Sequence, residues 1–248
     1  MSPERTLPKS CLDCPVYLRT EWCVLDRTGI VQLARRRTAL DFQAGKIIFE
    51  QGSLSEGIYC IESGHILLRQ VDAFGNETAF RLLTGGETVG WHSLFGEQPH
   101  AATAQALSAC RLCLIPREDF EELIDTHPEL TRRFLKTIAT DRGPADALLL
   151  RSPLLPVHIR LVHLLILLRD RCATTVSPRA LALNLPLKRK QIASMIGART
   201  ETLSRAIRQL DDMGLAQFEG RHVLIPDFSK LLETVRQIGA DIGTNGGG

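Results

Sequence analysis

The sequence predicts an α+β protein in which a β-rich N-terminal half precedes a helical half that ends in a winged helix-turn-helix. Between residues 40 and 116, short apolar runs alternate with glycine-containing turns at a spacing near ten residues, which is typical of a sandwich or small barrel. Beyond Pro116, apolar residues recur at helical spacing, and the last third contains two short amphipathic helices joined at Gly197.

Composition places the chain among soluble globular proteins. It has 248 residues, of which 44% are hydrophobic and 23% charged. The apolar run at 161–168 is too short to span a bilayer, and the N-terminus has no apolar signal region, so we expect a cytoplasmic protein with no membrane partner. The net charge is only +2, so any surface for nucleic acid requires local clustering of basic residues.

The β-rich region is predicted from four apolar runs followed by a last strand. That last strand is expected from Ala104 to Ile115, ended by Pro116. The four runs are Lys46–Phe49, Ile58–Ile61, Ile66–Arg69 and Ala79–Leu83.

Two helices are predicted next: a short one at 117–124, and a longer one that opens at His127-Pro128 and ends at Pro153 and Pro156. One stripe of the longer helix has the spacing of a seam for a partner helix, although Gly143-Pro144 should kink it. This stripe predicts a dimer interface of Phe134, Ile138, Asp141, Ala145 and Leu148, to which the resemblance described below adds Asp146. A buried helix is expected at 158–172.

The helix-turn-helix is predicted at 187–213, with a turn at Gly197-Ala198 and Thr200 as a possible N-cap. A two-stranded wing follows, turning at Glu219-Gly220. In the second helix the residues expected to pack inward are Leu203, Ile207 and Leu210, and those expected to face outward are Glu201, Ser204, Arg205 and Arg208.

This outward face has the chemistry for reading duplex DNA in the major groove, since arginine can grip guanine and glutamate can accept from cytosine. From Lys188 to Arg208 there are six Lys or Arg and one Glu, a local charge of +5 that suits phosphate. The remaining basic residues of this predicted DNA surface are Lys188, Arg189, Lys190 and Arg199.

Seven cysteines are present, an odd count that argues against a disulfide framework. Cys11, Cys14 and Cys23 lie in one N-terminal stretch, and the last strand offers a fourth thiol in Cys110 or Cys113. Residues three apart on a strand face opposite ways, so only one of these two should join the set. Four thiolates are what a [4Fe–4S] cluster or a tetrahedral zinc requires.

The order of elements resembles the CRP/FNR family of bacterial transcription regulators over nearly the whole chain. Thr200-Glu-Thr-Leu-Ser-Arg205 is similar to the E-x-x-S-R recognition helix of the FNR branch. The resemblance implies a jelly-roll sensor domain like those that bind cyclic nucleotides, a long dimerisation helix, and a homodimeric activator that works with RNA polymerase. It also implies base reading by Glu201, Ser204 and Arg205 at a dyad-symmetric TTGAT half-site.

The resemblance also implies an oxygen-labile [4Fe–4S] cluster. The segment 104–116 is similar to the A-Q-A-L…C-x-I-P segment of FNR, which selects Cys113 and gives the ligand set Cys11, Cys14, Cys23 and Cys113. Eight residues separate Cys14 from Cys23, where FNR has five; a longer loop closes at little extra entropic cost. Asp146 matches the aspartate that sets the monomer–dimer balance in FNR, and Asp141 could add to its repulsion.

The cyclic-nucleotide branch carries a G-E-L…R-S/T phosphate cassette that 90–102 lacks, so we expect no cAMP or cGMP. The alternatives are a zinc or thiol-redox cysteine site, and a haem-dependent gas sensor. An enzyme is disfavoured because His65, His92 and His100 are scattered. Cys60 and Cys172 are expected to be core thiols, and Trp22 and Trp91 packing residues.

Five segments are therefore predicted. They are a cysteine-rich cluster-binding segment at 1–28, a β-roll sensor domain at 29–126, a dimerisation helix at 127–156, a winged helix-turn-helix domain at 157–235 and a flexible tail at 236–248.

Overall fold

A two-sheet antiparallel sandwich dominates the first of the chain's two units, Met1–Arg142. The computed structural model describes residues 4–5, 11–141, 146 and 149–245, with the backbone alone for 4–5 and beyond residue 237. The strands of this unit are β1 (Glu4–Arg5), β2 (Thr38–Phe42), β3 (Ile47–Phe49), β4 (Gly57–Ser63), β5 (His65–Val71), β6 (Glu77–Thr84), β7 (Thr88–Val89), β8 (Thr103–Ala106) and β9 (Cys110–Pro116).

One sheet has the strand order β1-β2-β9-β4-β7 and the other β3-β8-β5-β6. Their facing sides enclose a core that includes Tyr59, Ile61, Ile66, Leu83 and Leu112. All the strand pairs are antiparallel, which confirms the predicted β domain.

The five-stranded sheet is covered on its other side by helices and by the N-terminal segment. These helices are α1 (Arg27–Arg36), α3 (Arg117–Thr126) and α4 (Pro128–Thr140), while a short α2 (Trp91–Phe95) follows β7. Residues of β4 therefore alternate between two cores: Tyr59 and Ile61 face the sandwich, and Ile58 and Cys60 face the helices. Both faces of β4 are buried, which explains why its sequence reads as a continuous apolar run.

The N-terminal segment forms three 3-10 turns, Cys11–Asp13, Tyr17–Arg19 and Glu21–Val24. Trp22 is only 3% exposed and packs edge-on against Phe120 and Phe134, at ring-centroid distances of 6.0 and 5.4 Å. This confirms the predicted packing role of Trp22 and fixes the segment onto α3 and α4.

The predicted long helix ends earlier than expected. α4 stops at Thr140, and Asp141 is extended, with φ −67° and ψ 107°. The sequence ahead disfavours a helix, since proline at 144 restricts Gly143 and removes a donor. Residues 146 and 149–151 are helical, whereas Gly143, Pro144, Ala145 and Leu148 lie outside the described residues.

The second unit, Gly143–Gly248, holds the helix-turn-helix. A four-stranded antiparallel sheet of order β10-β11-β13-β12 packs with helices α5 to α8. The strands are β10 (Ala173–Thr175), β11 (Leu181–Asn184), β12 (Gln217–Glu219) and β13 (His222–Ile225), and the helices are α5 (Val157–Cys172), α6 (Arg189–Met195), α7 (Thr200–Asp212) and α8 (Phe228–Asn245).

One predicted boundary was wrong. The last strand, predicted as one from Ala104 to Ile115, is two strands in different sheets, because Leu107 and Ser108 turn between them and bond to His65. The segment 236–245, predicted to begin a flexible tail, continues the helix α8 to Asn245.

Candidate metal centre and nucleic-acid interface

The recognition helix α7 presents the predicted polar face to solvent. Leu203 and Leu210 are fully buried, whereas Glu201, Ser204, Arg205 and Arg208 are exposed. Ala206 is also buried and Ile207 is half-buried, so the inward face is slightly broader than predicted. The N-cap is Arg199 and not Thr200, whose carbonyl accepts a hydrogen bond from the Ser204 hydroxyl at 3.0 Å.

Two arginines outside the helix-turn-helix motif donate hydrogen bonds to the backbone at the turn between its two helices. Arg160 of α5 is 9% exposed, and its Nη1 donates to the carbonyls of Ile196 at 2.7 Å and Gly197 at 3.4 Å. Arg151 Nη1 donates to the carbonyl of Ser194 at 3.3 Å. Gly197 has a φ of +59°, a left-handed conformation that suits glycine. Sequence reasoning missed both arginines, because only the fold brings them to the turn.

The predicted basic residues differ in their placement. Lys188, Lys190 and Arg199 are exposed. Arg189 is half-buried, with its guanidinium 5.1 Å from the centre of the Phe218 ring, so it braces the wing. Burial lowers the pKa of Arg189.

A pocket of about 140 Å³ lies between the N-terminal turns and the helix-facing side of β4 and β9. Four cysteines line it: Cys11, Cys14, Cys60 and Cys113. Its other lining residues are Asp13, Pro15, Tyr17, Thr20, Trp22, Leu33, Arg37, Glu62 and Ile115.

Three of the four predicted ligands thus share one pocket, and the structure adds Cys60 to them. Cys23, the remaining predicted ligand, does not line the pocket but lies in the third turn, beside Tyr17. Cys110 faces the sandwich core, where its thiol donates to the carbonyl of His65, so Cys110 and Cys113 do point opposite ways.

Cys60 was predicted to be a plain core thiol, because its position in an apolar run gives no other signal. Only the strand register reveals its neighbour: Cys60 on β4 is directly opposite Cys113 on β9. Cys172, the other predicted core thiol, is half-buried in the second unit.

Arg37, at the end of α1, brings positive charge to the thiols. Its Nη1 donates to Cys113 Sγ at 2.8 Å. Burial raises the pKa of Cys113 to about 11, and Arg37 opposes this rise. Burial likewise raises the pKa of Cys11, again against Arg37, and holds the pKa of Cys60 well above its ordinary value.

The donor set of the pocket suits an anionic group bound by thiolates. Arg37 Nε is buried and meets no acceptor at normal hydrogen-bond geometry among the described residues, while the buried Trp22 Nε1 faces the thiol of Cys60. Buried N–H donors without an acceptor are costly, and a ligand bearing sulfide or thiolate acceptors would satisfy them. Within the described part of the chain, however, no three Cys, His, Asp or Glu side chains are already gathered as metal ligands.

The pocket is connected to α4 through a buried carboxylate. Glu21, next to Trp22, is 7% exposed and accepts from the Thr88 hydroxyl at 2.6 Å and the Thr137 hydroxyl at 3.1 Å. Thr137 lies on α4, so the cysteine-bearing turns are bonded to that helix as well as packed on it.

The residues of the predicted dimer interface differ in how accessible they are to a partner. Phe134 is 1% exposed and belongs to the core of its own unit, so it is not available to a partner. Asp141 makes a two-oxygen contact with Arg81 Nη1, each at 2.9 Å. Ile138 is 36% exposed and Leu135, three residues earlier, is 60% exposed. Together they leave an apolar strip on α4. Asp146 is half-buried in the second unit.

Comparison with known proteins assigns both units. Residues 39–127 match the cyclic nucleotide-binding domain family, and residues 159–234 match the Crp-like helix-turn-helix domain family. The transcriptional activator protein FnrL of Cereibacter sphaeroides is 26% identical over 232 residues, which cover 92% of each chain. The fumarate and nitrate reduction regulatory protein of Vibrio cholerae is 28% identical over 233 residues, covering 90% of this chain and 89% of that one.

The chain belongs to the CRP/FNR family of transcription regulators.

The fold of this CRP/FNR regulator is confirmed by solved structures. FixK2 from Bradyrhizobium japonicum superposes with a TM-score of 0.69 at 21% identity, covering 79% of this chain and 96% of that one. The helix-turn-helix makes this regulator a DNA-binding protein, and its relatives are transcription regulators. Among the described residues, no helix is both long and apolar enough to cross a membrane.

Residues 90–102 of the CRP/FNR regulator, which were compared above with the phosphate cassette, contain a buried histidine. His100 is 3% exposed, stacks on Phe49 at a centroid distance of 3.8 Å, and shares a 2.9 Å hydrogen bond with Ser93. Ala101 and Ala102 follow, where the cassette of the cyclic-nucleotide branch has its arginine.

Proposed function

We propose that this regulator is a homodimeric activator whose DNA binding depends on an oxygen-labile [4Fe–4S] cluster held by Cys11, Cys14, Cys23 and Cys113. The observation that carries the proposal is the pocket that three of these thiols line together with Arg37, whose Nη1 donates to Cys113 and whose buried Nε has no acceptor among the described residues. When bound, the cluster supplies a group that oxygen converts or destroys. Cys23 has to move toward the pocket, and it already lies beside the lining residue Tyr17.

The chain's own residues would transmit the state of the pocket. Ligation of Cys11, Cys14 and Cys23 fixes the N-terminal turns, and with them Trp22 against Phe134 and Glu21 against Thr137. Loss of ligation frees three thiols on one segment and weakens the support of α4. A helix that packs only partly against its neighbours depends on such tertiary contacts for its stability.

The exposed strip on α4 is where a second copy of the chain would pack. Leu135 and Ile138 lie three residues apart on that helix, the spacing of a helix–helix seam. Two recognition helices would then be presented to a duplex with dyad symmetry. Glu201, Ser204 and Arg205 would read TTGAT half-sites, and RNA polymerase would be the second partner. No cyclic nucleotide is needed in this account.

Chemical analysis of anaerobically purified protein tests the cluster. Iron and acid-labile sulfide should be present in the wild type and lost in Cys113→Ser and in Cys23→Ser. Cys110→Ser is the matched control, since Cys110 lies on the same strand with its thiol turned away, and it should retain both elements. Normal cluster content in Cys23→Ser or Cys113→Ser would refute the ligand assignment, and iron-free wild-type protein would refute the cluster.

A zinc site is the second candidate, and the placement of Cys60 favours it. With Cys11, Cys14 and Cys113 it supplies four thiols from one pocket, the ligand type and number of a structural zinc site. Zinc without sulfide, lost in Cys60→Ala and retained in Cys23→Ser, would establish this candidate in place of the cluster.

A further inference from the structure

Cys60 and Cys113 are cross-strand neighbours in the five-stranded sheet. They are paired directly in the antiparallel register of β4 and β9, and both side chains belong to the helix-facing core. Directly opposed residues of antiparallel strands have Cα atoms roughly 4.5–5.5 Å apart. Disulfides form between cysteines whose Cα atoms are roughly 4.4–6.8 Å apart, so the register of the strands places this pair within the Cα separation that a disulfide spans.

The other thiols near this pair are placed differently. Cys110 is on the far face of β9, with its thiol directed at the carbonyl of His65. Cys11 and Cys14 approach the pocket from a separate segment, which the strand ladder does not hold in register. Cys60 is therefore the one partner that the sheet itself holds opposite Cys113.

Cys60 and Cys113 line the same pocket, which offers a small molecule a route toward their sulfurs. Cys60 and Cys113 are 7% and 8% exposed, and both contribute to its lining. Thiol–disulfide exchange requires that one sulfur be accessible to the incoming disulfide and that the second sulfur then be close enough to displace it. The pocket supplies access, and the register supplies the second sulfur.

We infer that Cys60 and Cys113 form a thiol–disulfide site that a low-molecular-weight disulfide oxidises when no metal is bound. One thiol loses its proton and attacks the reagent as a thiolate; the S–S bond of the reagent breaks to give a mixed disulfide and one released thiolate, which takes up a proton. The other thiol of the pair then displaces the second half of the reagent. Two electrons and two protons pass to the reagent, which leaves as two thiols, and a Cys60–Cys113 bond replaces its S–S bond.

This site would control reloading of the pocket, a consequence that rests on the proposed function. Cys113 is one of the four proposed cluster ligands, and a sulfur in a disulfide cannot ligate iron as a thiolate. The oxidised chain would therefore have to be reduced by a dithiol before a cluster could form again.

Peptide mapping of the full-length, iron-free chain tests the pair without depending on a cluster. The chain is incubated without oxygen in glutathione disulfide, its free thiols are alkylated, and it is digested with trypsin. Cleavage after Lys46, Arg69, Arg111 and Arg117 places Cys60 and Cys113 in separate peptides and leaves Cys110 in a third. We expect a cross-linked peptide that joins 47–69 to 112–117 and weighs two hydrogen atoms less than the two peptides together.

Two variants make the mapping decisive. Cys60→Ala should abolish the cross-link, whereas Cys110→Ala, which removes an equally buried thiol from the same sheet, should leave it intact. Thermal unfolding shows that each variant is folded. Glutathione found as a stable mixed disulfide on either thiol, or Cys113 linked to Cys11 or Cys14 instead, would overturn the inference.

Anaerobic reconstitution with iron and sulfide then separates the inference from the proposed function. Oxidised wild type should take up no cluster until a dithiol is added, while Cys60→Ala exposed to the same reagent should take it up directly. If the cross-link forms but reduced wild type takes up no cluster, the disulfide site stands and the proposed function fails. Equal cluster uptake by oxidised and reduced wild type would overturn the inferred control of reloading.

Discussion

Burial raises the pKa of the Cys113 thiol and Arg37 lowers it, and the effect of burial is the larger. The pKa of Cys113 rises to about 11 from an ordinary thiol value of 9.0, because the loss of hydration outweighs the attraction of the guanidinium. Without a metal the buried thiol is therefore neutral at physiological pH. Binding a metal would have to displace that proton, so occupancy of the pocket should depend on pH.

The raised pKa predicts that the metal-free protein loses stability in alkaline solution. Between pH 9.0 and about 11 the unfolded chain releases the Cys113 proton while the folded chain keeps it, so stability falls as the pH rises through this window. A difference of two in pKa corresponds to about 3 kcal/mol at most. Urea unfolding at several pH values should show a weaker alkaline loss in Cys113→Ala. A loss of equal size in that variant would contradict the shift.

Two exposed basic residues of the DNA-binding unit should affect binding in different ways. Arg205 is on the outward face of α7, whereas Lys190 is in the first helix of the motif. Arg205→Ala should lower affinity for the cognate site roughly ten- to a hundred-fold and relax specificity at one base pair. Lys190→Ala should weaken binding to all sequences alike and reduce the log–log salt slope by about 1. Titration of cognate and unrelated duplexes at several salt concentrations distinguishes these patterns, and identical behaviour of the two variants would contradict the assignment.

At the scale of elements, the turn between α6 and α7 depends on residues outside the helix-turn-helix. Arg160 reaches two carbonyls at the end of α6, where the helix dipole and the unpaired carbonyls favour a cation. Its contacts fix the backbone immediately before the recognition helix. Arg151 makes one longer contact from an exposed position.

Arg160→Met should therefore weaken DNA binding without removing any residue of the reading face. The substitution leaves the carbonyls of Ile196 and Gly197 without their buried donor, a loss of about 1–3 kcal/mol that falls on the turn. Calorimetric unfolding and DNA titration should both show a clear defect, and Arg151→Met should show a smaller one. Unchanged affinity in a folded Arg160→Met variant would mean that the turn is set by the motif alone.

Elements with a strong periodic pattern could be predicted from the sequence, whereas the relations between elements could not. Local sequence patterns predicted three features: the strands separated by glycine turns, the amphipathic face of α7, and the wing. The structure contains all three. The break at Leu107 and Ser108 was missed because the apolar alternation continues across it while the chain changes sheet. The end of α4 was placed too late because Asp141 fits the helical stripe, although it pairs with Arg81 of β6.

The residues of the cysteine pocket likewise include some that the sequence predicts and others that only the fold brings together. Its N-terminal thiols could be predicted from their spacing, because C-x2-C with a third cysteine nearby is itself a sequence pattern. Cys60 and Arg37 could not, because their approach to Cys113 depends on strand register and on where α1 ends. Phe134 illustrates the opposite error: its helical spacing suits a seam between subunits, but the same spacing suits the core that Trp22 completes.

At the scale of the whole molecule, the cysteine pocket and the recognition helix belong to different units. Control of one by the other therefore requires an intermediate, and α4 is the element that the pocket contacts through Trp22 and Glu21. Dimerisation through the exposed side of α4 would convert a local change at the pocket into a change in the number of recognition helices held on one duplex. Coupling of this kind is a difference in free energy between two assemblies, and it can be measured as such.

The most direct measurement is the affinity of one anaerobic preparation for a duplex with two TTGAT half-sites in dyad symmetry, before and after exposure to air. Absorbance of the cluster and sedimentation of the protein are followed in the same samples. Air should abolish the absorbance, shift the dimer toward monomer and lower the affinity, and Cys113→Ser should behave like the air-exposed protein from the start. Equal affinity before and after loss of the absorbance would contradict control of DNA binding by the cluster.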